Sequence, residues 1–252
     1  KDLLSSAPPG ESGGAAGVAD GALLGKITDI AARLSPPQQR KLLVAAEKLL
    51  GDAKGAGGGK PVAAKVAKVA GGGKIVDRSG NVEPVTRLDV RVGRIVKAER
   101  HPDADALYLE QIDVGEEEPR QVISGLANFI PLEELQDRLV TVVCNLKPVK
   151  MRGIMSSGMV LCGSNEDHTK VELLEPPEGC EPGEYLSLDS FGVMKPPEED
   201  AVLKSKSQQN VWKMVAPDMK LNGGGKATYN GKLFSTSQGP LKCKTLKDCQ
   251  VG

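Results

Sequence analysis

The sequence has few of the residues on which most enzyme and metal sites depend. Its 252 residues include only two histidines, His101 and His168, which lie far apart in the chain. The five cysteines include no Cys-x-x-Cys pair, so neither a zinc site nor a disulfide framework is expected. We therefore predict reduced thiols, as in a cytoplasmic protein, and no metal ion or other cofactor.

Other signals are also missing. The sequence has no glycine-rich phosphate loop after a strand, no Gly-x-Ser-x-Gly elbow, and no apolar run of the roughly 18 residues that a membrane span needs. We expect neither a catalytic site nor a membrane partner. Aromatic residues make up only 3% of the chain, which leaves little capacity for stacking bases. The chain begins at Lys1 rather than Met, so we expect a fragment, a processed product or an incomplete gene model.

The zero net charge conceals an uneven distribution. Residues 1–84 carry 12 basic and 8 acidic groups, residues 85–200 carry 12 and 23, and residues 201–252 carry 9 and 2. A phosphate-binding surface in the acidic middle segment would require its acids to lie away from its cations. The basic last segment offers a second candidate surface for an anionic partner.

Composition divides the chain before about residue 85. Residues 1–22 are rich in Gly, Ala, Ser and Pro and are predicted to be disordered. Apolar residues at helical spacing predict a helical hairpin over 23–50. Residues 51–84 are a Gly/Ala/Lys-rich sequence typical of a flexible linker.

The remaining sequence predicts a mainly β protein. Alternation begins near Leu88, with a bulge at Gly93, and further strands are expected at 107–114, 120–124, 139–145 and 158–162. A short helix is predicted near Pro131, between the third and fourth strands. That order is typical of the five-stranded OB barrel, here over 85–163, followed by a β-rich extension over 164–252.

Several stretches then carry a specific resemblance. LDVRVGRIVKAERHPDADALYLEQIDVG, NLKPVKMRG and SSGM, at these spacings, resemble the tRNA-binding domain of the endothelial monocyte-activating polypeptide II type. This domain occurs in a multisynthetase-complex auxiliary protein and in the C-terminal tail of plant-type methionyl-tRNA synthetase. The resemblance covers roughly residues 85–252.

The resemblance implies an OB-fold that binds tRNA structure with little sequence specificity. It also implies that the extension packs on the barrel and mimics the second subunit of related dimers, so that the chain is a monomer. The expected partners are tRNA and an aminoacyl-tRNA synthetase, with a methionyl-type enzyme favoured by HTKVELLEPPE.

The candidate RNA-binding residues centre on the segment that joins the last two predicted barrel strands. Lys147, Lys150 and Arg152 supply three cations for phosphates, and Asn145 can read a base edge or fix the loop. No acidic residue lies between Thr141 and Ser164. A plain solvated loop is the alternative interpretation.

Four further residues complete the candidate site. In the resembled family the SSGM segment lies beside RNA, so Ser156 can bond phosphate or ribose and Met159 can support a base, although Met159 equally suits the core. Arg91 is predicted to face outward from the first strand, and Arg94 cannot be oriented by alternation. For both arginines an ordinary solvated face remains open.

We therefore hypothesise a non-catalytic tRNA-binding module that serves a synthetase in cis or in trans. The alternative is a scaffold of a synthetase complex that acts through protein–protein contacts, with residues 23–50 as its docking segment. HPDAD, at His101–Asp105, is interpreted as a turn rather than a metal site, with Asp side chains bonding backbone amides.

Overall fold

The computed structural model describes residues 82–252. The predicted disordered start at 1–22 and the predicted helices at 23–50 lie outside the described residues, as does the linker up to residue 81. The described chain opens with a short 3-10 helix at Pro84–Arg87, whose Val85 is fully buried.

The first half of the described chain forms a nearly closed five-stranded antiparallel barrel. Its sheet has the order β3-β2-β1-β4-β7, and a separate two-stranded hairpin, β5–β6, projects between β4 and β7. In chain order the strands are β1 Val90–His101, β2 Ala104–Asp113, β3 Arg120–Ser124, β4 Leu139–Val143, β5 Val149–Met151, β6 Ile154–Ser156 and β7 Met159–Val160. The predicted mainly β class and five-strand barrel are confirmed.

Strand β3 closes the barrel against the end of the hairpin. The Ser157 amide donates to the Gln121 carbonyl at 2.9 Å, and the Ile123 amide donates to Ser156 Oγ at 3.0 Å. One of the two closing bonds therefore uses a side chain in place of a backbone carbonyl. The interior is filled by a cluster that includes Tyr108 and Ile112, both fully buried.

The predicted bulge at Gly93 is wrong. Residues 90–94 pair with β4 in an unbroken register, and the shift in pairing with β2 falls between Ile95 and Lys97. Gly93 is instead required by close packing, because a Cβ there would lie 2.7 Å from Ile112 Cγ2. Glycine is needed at this position because the barrel interior is tightly packed there, and not because the strand is irregular.

The predicted helix near Pro131 is only a single 3-10 turn, Leu132–Glu134. It follows Ile130, whose carbonyl accepts a hydrogen bond from Tyr108 Oη at 2.9 Å, and it precedes the fully buried Leu135. These two anchors hold the connection over one end of the barrel without a longer helix.

The C-terminal extension forms a second, larger sheet. Its strands are β8 Cys162–Ser164, β9 Val171–Leu173, β10 Ser187–Leu188, β11 Gly192–Val193, β12 Met219–Leu221, β13 Ala227–Tyr229, β14 Lys232–Thr236, β15 Gly239–Pro240 and β16 Gln250–Val251. Their order is β11-β10-β14-β13-β12-β16-β8-β9, with β15 beside β14. A two-residue turn at Asn230-Gly231, a pair typical of hairpins, joins β13 to β14 with positive φ at both turn residues.

One α-helix, α1 at Lys206–Val215, lies among the described residues of the extension. It begins with a capping box in which Ser205 and Gln208 bond each other's backbone amides. Val211 and Val215 are fully buried, and Trp212 packs beside them at the edge of the same core.

The extension packs directly on the first barrel strand. Residues 183–186 run beside β1, where the Val92 amide donates to the Glu184 carbonyl and the Leu186 amide donates to the Val90 carbonyl. A second hydrophobic cluster joins Val90 and Val92 to Leu174 and Leu186. The start of β1 is therefore buried on both faces, one by the barrel and the other by the extension.

Candidate nucleic-acid interface

The β5–β6 hairpin ends in a tight two-residue turn. Met151 pairs with Ile154, and the residues between them, Arg152 and Gly153, have φ values of 47° and 89°. Positive φ at both positions defines the mirror-image turn that matches the twist of antiparallel strands. The turn places Arg152 at the exposed tip of the hairpin.

Three of the predicted cations are brought together on this hairpin and its entry. Lys147, Lys150 and Arg152 are all exposed. Within residues 82–252, none of them forms an ion pair. Unpaired exposed cations keep their charge available for an external anion, and no acidic residue lies nearby in sequence to compete.

Most arginines of the barrel body are used differently. They are engaged by carboxylates: Arg87 with Asp200, Arg91 with Asp89 and Glu116, Arg120 with Glu116, and Arg138 with Glu134 and Glu175. Five of the 23 acids of the middle segment are therefore paired with arginines of the fold. The strongly negative count for residues 85–200 does not describe the hairpin surface.

Asn145 does not point toward solvent. It is fully buried, and its Oδ1 accepts from the Asp89 amide at 2.9 Å while its Nδ2 donates to the carbonyls of Arg87 and Asp200 at 2.8 Å each. All of these bonds are internal, so the expectation that Asn145 reads a base edge is wrong. Its other predicted role, fixing the loop, agrees with the structure, because it ties the start of the basic segment to β1 and to the extension.

Ser156 is likewise committed to the fold. Its hydroxyl accepts from the Ile123 amide and donates to the Gly158 carbonyl at 3.1 Å, and the residue is 6% exposed. Donation to a phosphate would take the hydroxyl hydrogen away from the Gly158 carbonyl, and the side chain is buried, so that expectation is corrected. Met159 is half-buried, packs against the larger core cluster and also lines a surface groove, which leaves both of its predicted roles in place.

The two arginines of β1 do not join the exposed cations of the hairpin. Arg91 is buried against Asp89, with its guanidinium 4.8 Å from the centre of the Tyr185 ring, so the prediction that it faces outward is wrong. Arg94 is half-exposed and donates to the Asp137 carbonyl at 3.0 Å. It pairs with Leu139 at the start of β4, whereas the basic segment follows the end of that strand. The five-residue strand puts about 14 Å between the position of Arg94 and the start of that segment.

Sequence reasoning missed a charged cluster beneath the basic segment. Arg120 donates to both oxygens of Glu116 and to the carbonyls of Cys144 and Ser157. Burial alone would lower the pKa of Arg120, but its hydrogen bond with Glu116 and the charge of that carboxylate raise it overall. Arg120 therefore stays charged and holds the two ends of segment 145–156 together.

A groove of about 470 Å³ runs beside the hairpin. Its lining includes Val149 and Met151 from the β5–β6 hairpin, Met159 from β7, and Ile123 and Leu126 from the end of β3 and the residues after it.

Ser124 also lines the groove, and its hydroxyl donates to Glu110 Oε1 at 2.7 Å. Glu110 is fully buried in the barrel, and burial raises its pKa to about 7 despite that bond. Strand alternation could have identified Glu110 as a buried residue, because it points to the same inward face of β2 as Tyr108 and Ile112.

The HPDAD segment lies in a turn, and the five cysteines form no disulfide. HPDAD forms the turn between β1 and β2, where the Asp103 amide donates to His101 Nδ1 at 3.1 Å, so the histidine and not an Asp side chain caps the turn. All five cysteines are free thiols, and burial raises the pKa of Cys144 to about 12. Over residues 82–252, no cluster of side chains is suited to a metal ion, and no helix has the length and hydrophobicity to cross a membrane.

A five-stranded barrel with an exposed cationic hairpin at its rim is typical of nucleic-acid-binding modules of the OB class. Comparison with known proteins agrees. A family model described as "Putative tRNA binding domain" matches residues 90–185. The chain belongs to this tRNA-binding family, of the endothelial monocyte-activating polypeptide II type.

Similar proteins include synthetases and a synthetase-complex protein. The chain is 50% identical over 184 residues to "Probable methionine--tRNA ligase" of Oryza sativa subsp. japonica, covering 73% of this chain and 22% of that protein. It is 45% identical over 168 residues to "Aminoacyl tRNA synthase complex-interacting multifunctional protein 1" of Cricetulus griseus, covering 66% of this chain and 45% of that protein. The chain thus spans less than half of either relative.

A solved structure is similar across the fold. The C-terminal domain of Plasmodium vivax p43 has 35% sequence identity and a TM-score of 0.62, covering 68% of this chain and 99% of that one. The chain is therefore a tRNA-binding domain protein whose relatives are tied to synthetases and their complexes.

Proposed function

We propose that this chain is a non-catalytic module that delivers or retains tRNA for an aminoacyl-tRNA synthetase, in cis or in trans. The observation that carries the proposal is the set of exposed, unpaired cations Lys147, Lys150 and Arg152 on one hairpin. Their charge is available for phosphates, while Asn145 and Arg120 fix the segment that presents them. Binding directed at phosphates and shape explains little dependence on base sequence.

Two relatives support the cis and trans arrangements respectively. The rice protein is named as a methionine–tRNA ligase and is far longer than this chain, which favours a methionyl-type enzyme carrying the module as an appended domain. The hamster protein is named as interacting with a synthetase complex, which favours action in trans. In either case tethering makes the encounter of tRNA with the enzyme effectively intramolecular.

The packing of the extension supports a monomer. Residues 183–186 occupy the side of β1 that β2 leaves free, and they cover Val90 and Val92. An apolar face covered from within the chain needs no second copy. We propose that the extension here takes the place of a partner subunit.

The test is fluorescence anisotropy with labelled tRNA over a salt series. Lys147→Ala/Lys150→Ala/Arg152→Ala should lower the dependence of log K on log salt by about two or three units, because each phosphate contact contributes about 0.9. The matched control, Lys220→Ala/Lys226→Ala/Lys242→Ala, removes three exposed cations from the extension and should leave the slope nearly unchanged. The opposite pattern would move the RNA surface to the extension.

The name of the hamster relative also favours a second candidate, a scaffold that acts through protein contacts. Deletion of residues 1–60 discriminates the two. Under the scaffold hypothesis, the deletion abolishes capture of a synthetase, whereas the hairpin triple variant still captures the synthetase. Under the favoured reading the deletion leaves tRNA affinity almost unchanged.

A further inference from the structure

The groove beside the hairpin combines two properties that seldom occur together on a protein surface. Its walls are mostly apolar, and Val149 on one wall is 56% exposed. Its lining also includes the exposed cation Lys147, and the same hairpin carries Lys150 and Arg152. An uncovered apolar wall beside unpaired cations fits a ligand that is both anionic and flat and apolar, which describes a nucleotide.

The size of the groove agrees with such an occupant. Its volume of about 470 Å³ falls within the range of roughly 300–1,000 Å³ that is usual for small-ligand pockets. Two of the wall residues are methionines, Met151 and Met159, whose unbranched and polarizable side chains adapt to planar rings.

The groove also presents a directed polar group. Ser124 is 8% exposed, and its single hydroxyl hydrogen is donated inward to Glu110. The oxygen of Ser124 can therefore only accept a hydrogen bond from the groove side while Glu110 is ionised. Burial raises the pKa of Glu110 to about 7, so a pH above that value favours the ionised carboxylate.

We propose that the groove receives one unpaired base of a bound RNA. The base packs against Met151 and Met159 and donates one N–H to Ser124 Oγ. The inference rests on the proposed function, because the hairpin cations must hold the adjoining phosphates. Every standard base carries an N–H on its pairing edge, so this site selects unpaired over paired bases rather than one sequence over another.

Substitution of Gly125 with a larger residue can block the groove. Gly125 lines the groove, is exposed, and a Cβ added to it would meet nothing within 4 Å. Gly125→Leu should fill the groove without disturbing the barrel, and Gly125→Ala is the matched control that adds only a methyl group.

The experiment uses two RNA probes of equal charge at pH 8. Each is a labelled stem with a single-stranded 3′ tail of the same length, and in one probe every tail residue is abasic. The native chain should bind the tail with bases about tenfold more tightly than the abasic tail, since one buried base contributes on that order. Gly125→Leu should abolish this preference and keep the abasic affinity, while Gly125→Ala should retain the preference.

Equal affinity of the native chain for the two probes would overturn the base site and leave the phosphate-binding function standing. A preference that survives Gly125→Leu would also overturn it, because the base would then bind elsewhere. Failure to bind either probe by a chain that binds labelled tRNA would overturn the base site alone, and failure to bind tRNA as well would overturn both proposals. Thermal unfolding of each variant, unchanged from the native chain, establishes that the comparison concerns folded protein.

Discussion

Arg152 occupies a turn position that its backbone geometry disfavours, which makes one substitution especially informative. Asn and Gly are the residues preferred at the first position of this two-residue turn, and an ordinary L-residue with positive φ costs about 1–2 kcal/mol. Arg152→Asn should therefore hold or raise the free energy of unfolding, by up to about 1 kcal/mol. The same change removes an exposed and unpaired cation.

Binding should respond in the opposite direction to stability. Loss of one phosphate contact should lower the salt slope by about 0.9, which corresponds to an affinity loss of about eightfold at 0.1 M salt. Urea unfolding and tRNA anisotropy over a salt series measure the two effects separately. Arg152→Lys is the control, because it retains the charge and should keep the slope.

Two outcomes would refute this reasoning. An Arg152→Asn variant that is less stable than the native chain would mean that Arg152 contributes contacts that stabilise the hairpin. A salt slope equal to that of the native chain would mean that the hairpin tip does not touch phosphate. Weaker binding that accompanies a gain in stability is not expected from simple damage to the fold.

Two further predictions concern buried polar residues. Asn145→Ala leaves the Asp89 amide and two carbonyls without their partner, so it should lower the free energy of unfolding by about 2–4 kcal/mol. The salt dependence of tRNA binding by this variant, measured under conditions in which it is folded, should match that of the native chain. A salt slope lower by a full unit would show that Asn145 contacts the RNA. Glu110 binds its proton more tightly in the folded state, so its contribution to stability is present at low pH and is lost as pH rises from about 4.5 to about 7. Relative to the native chain, Glu110→Gln should therefore gain up to about 3 kcal/mol between pH 4.5 and pH 8, and parallel urea-unfolding curves for the two proteins over that range would contradict the buried carboxyl.

Strand positions could be predicted because alternation and turn residues are local signals. The predicted strand at 120–124 coincides with β3, and Asn230-Gly231 forms the turn that its sequence indicates. The helix predicted near Pro131 was too long, since Tyr108 and Leu135 anchor that connection through tertiary contacts. Such contacts depend on the closed barrel and have no counterpart in the local sequence.

The candidate site was predicted less well, for a related reason. Alternation placed Arg91 on the face opposite Val90 and Val92, but it could not reveal that those two valines pack against the extension, or that Arg91 is buried against Asp89 and Tyr185. Asn145 and Ser156 lie in the right segment, yet their side chains serve the backbone of distant strands. The exposed cations Lys147, Lys150 and Arg152 were easier to identify, because no described carboxylate reaches them.

The small number of free cations on the hairpin also bears on how such a module would act. Three phosphate contacts give a salt slope of about −2.7, so affinity would fall only about 40-fold between 50 and 200 mM salt. The site would therefore add modest electrostatic binding energy and release tRNA readily. Alone, such binding has little effect on a dilute tRNA. When it is linked to a synthetase, the same weak site raises the local concentration of tRNA at the enzyme. Because the tRNA dissociates quickly from the site, this gain does not slow product release.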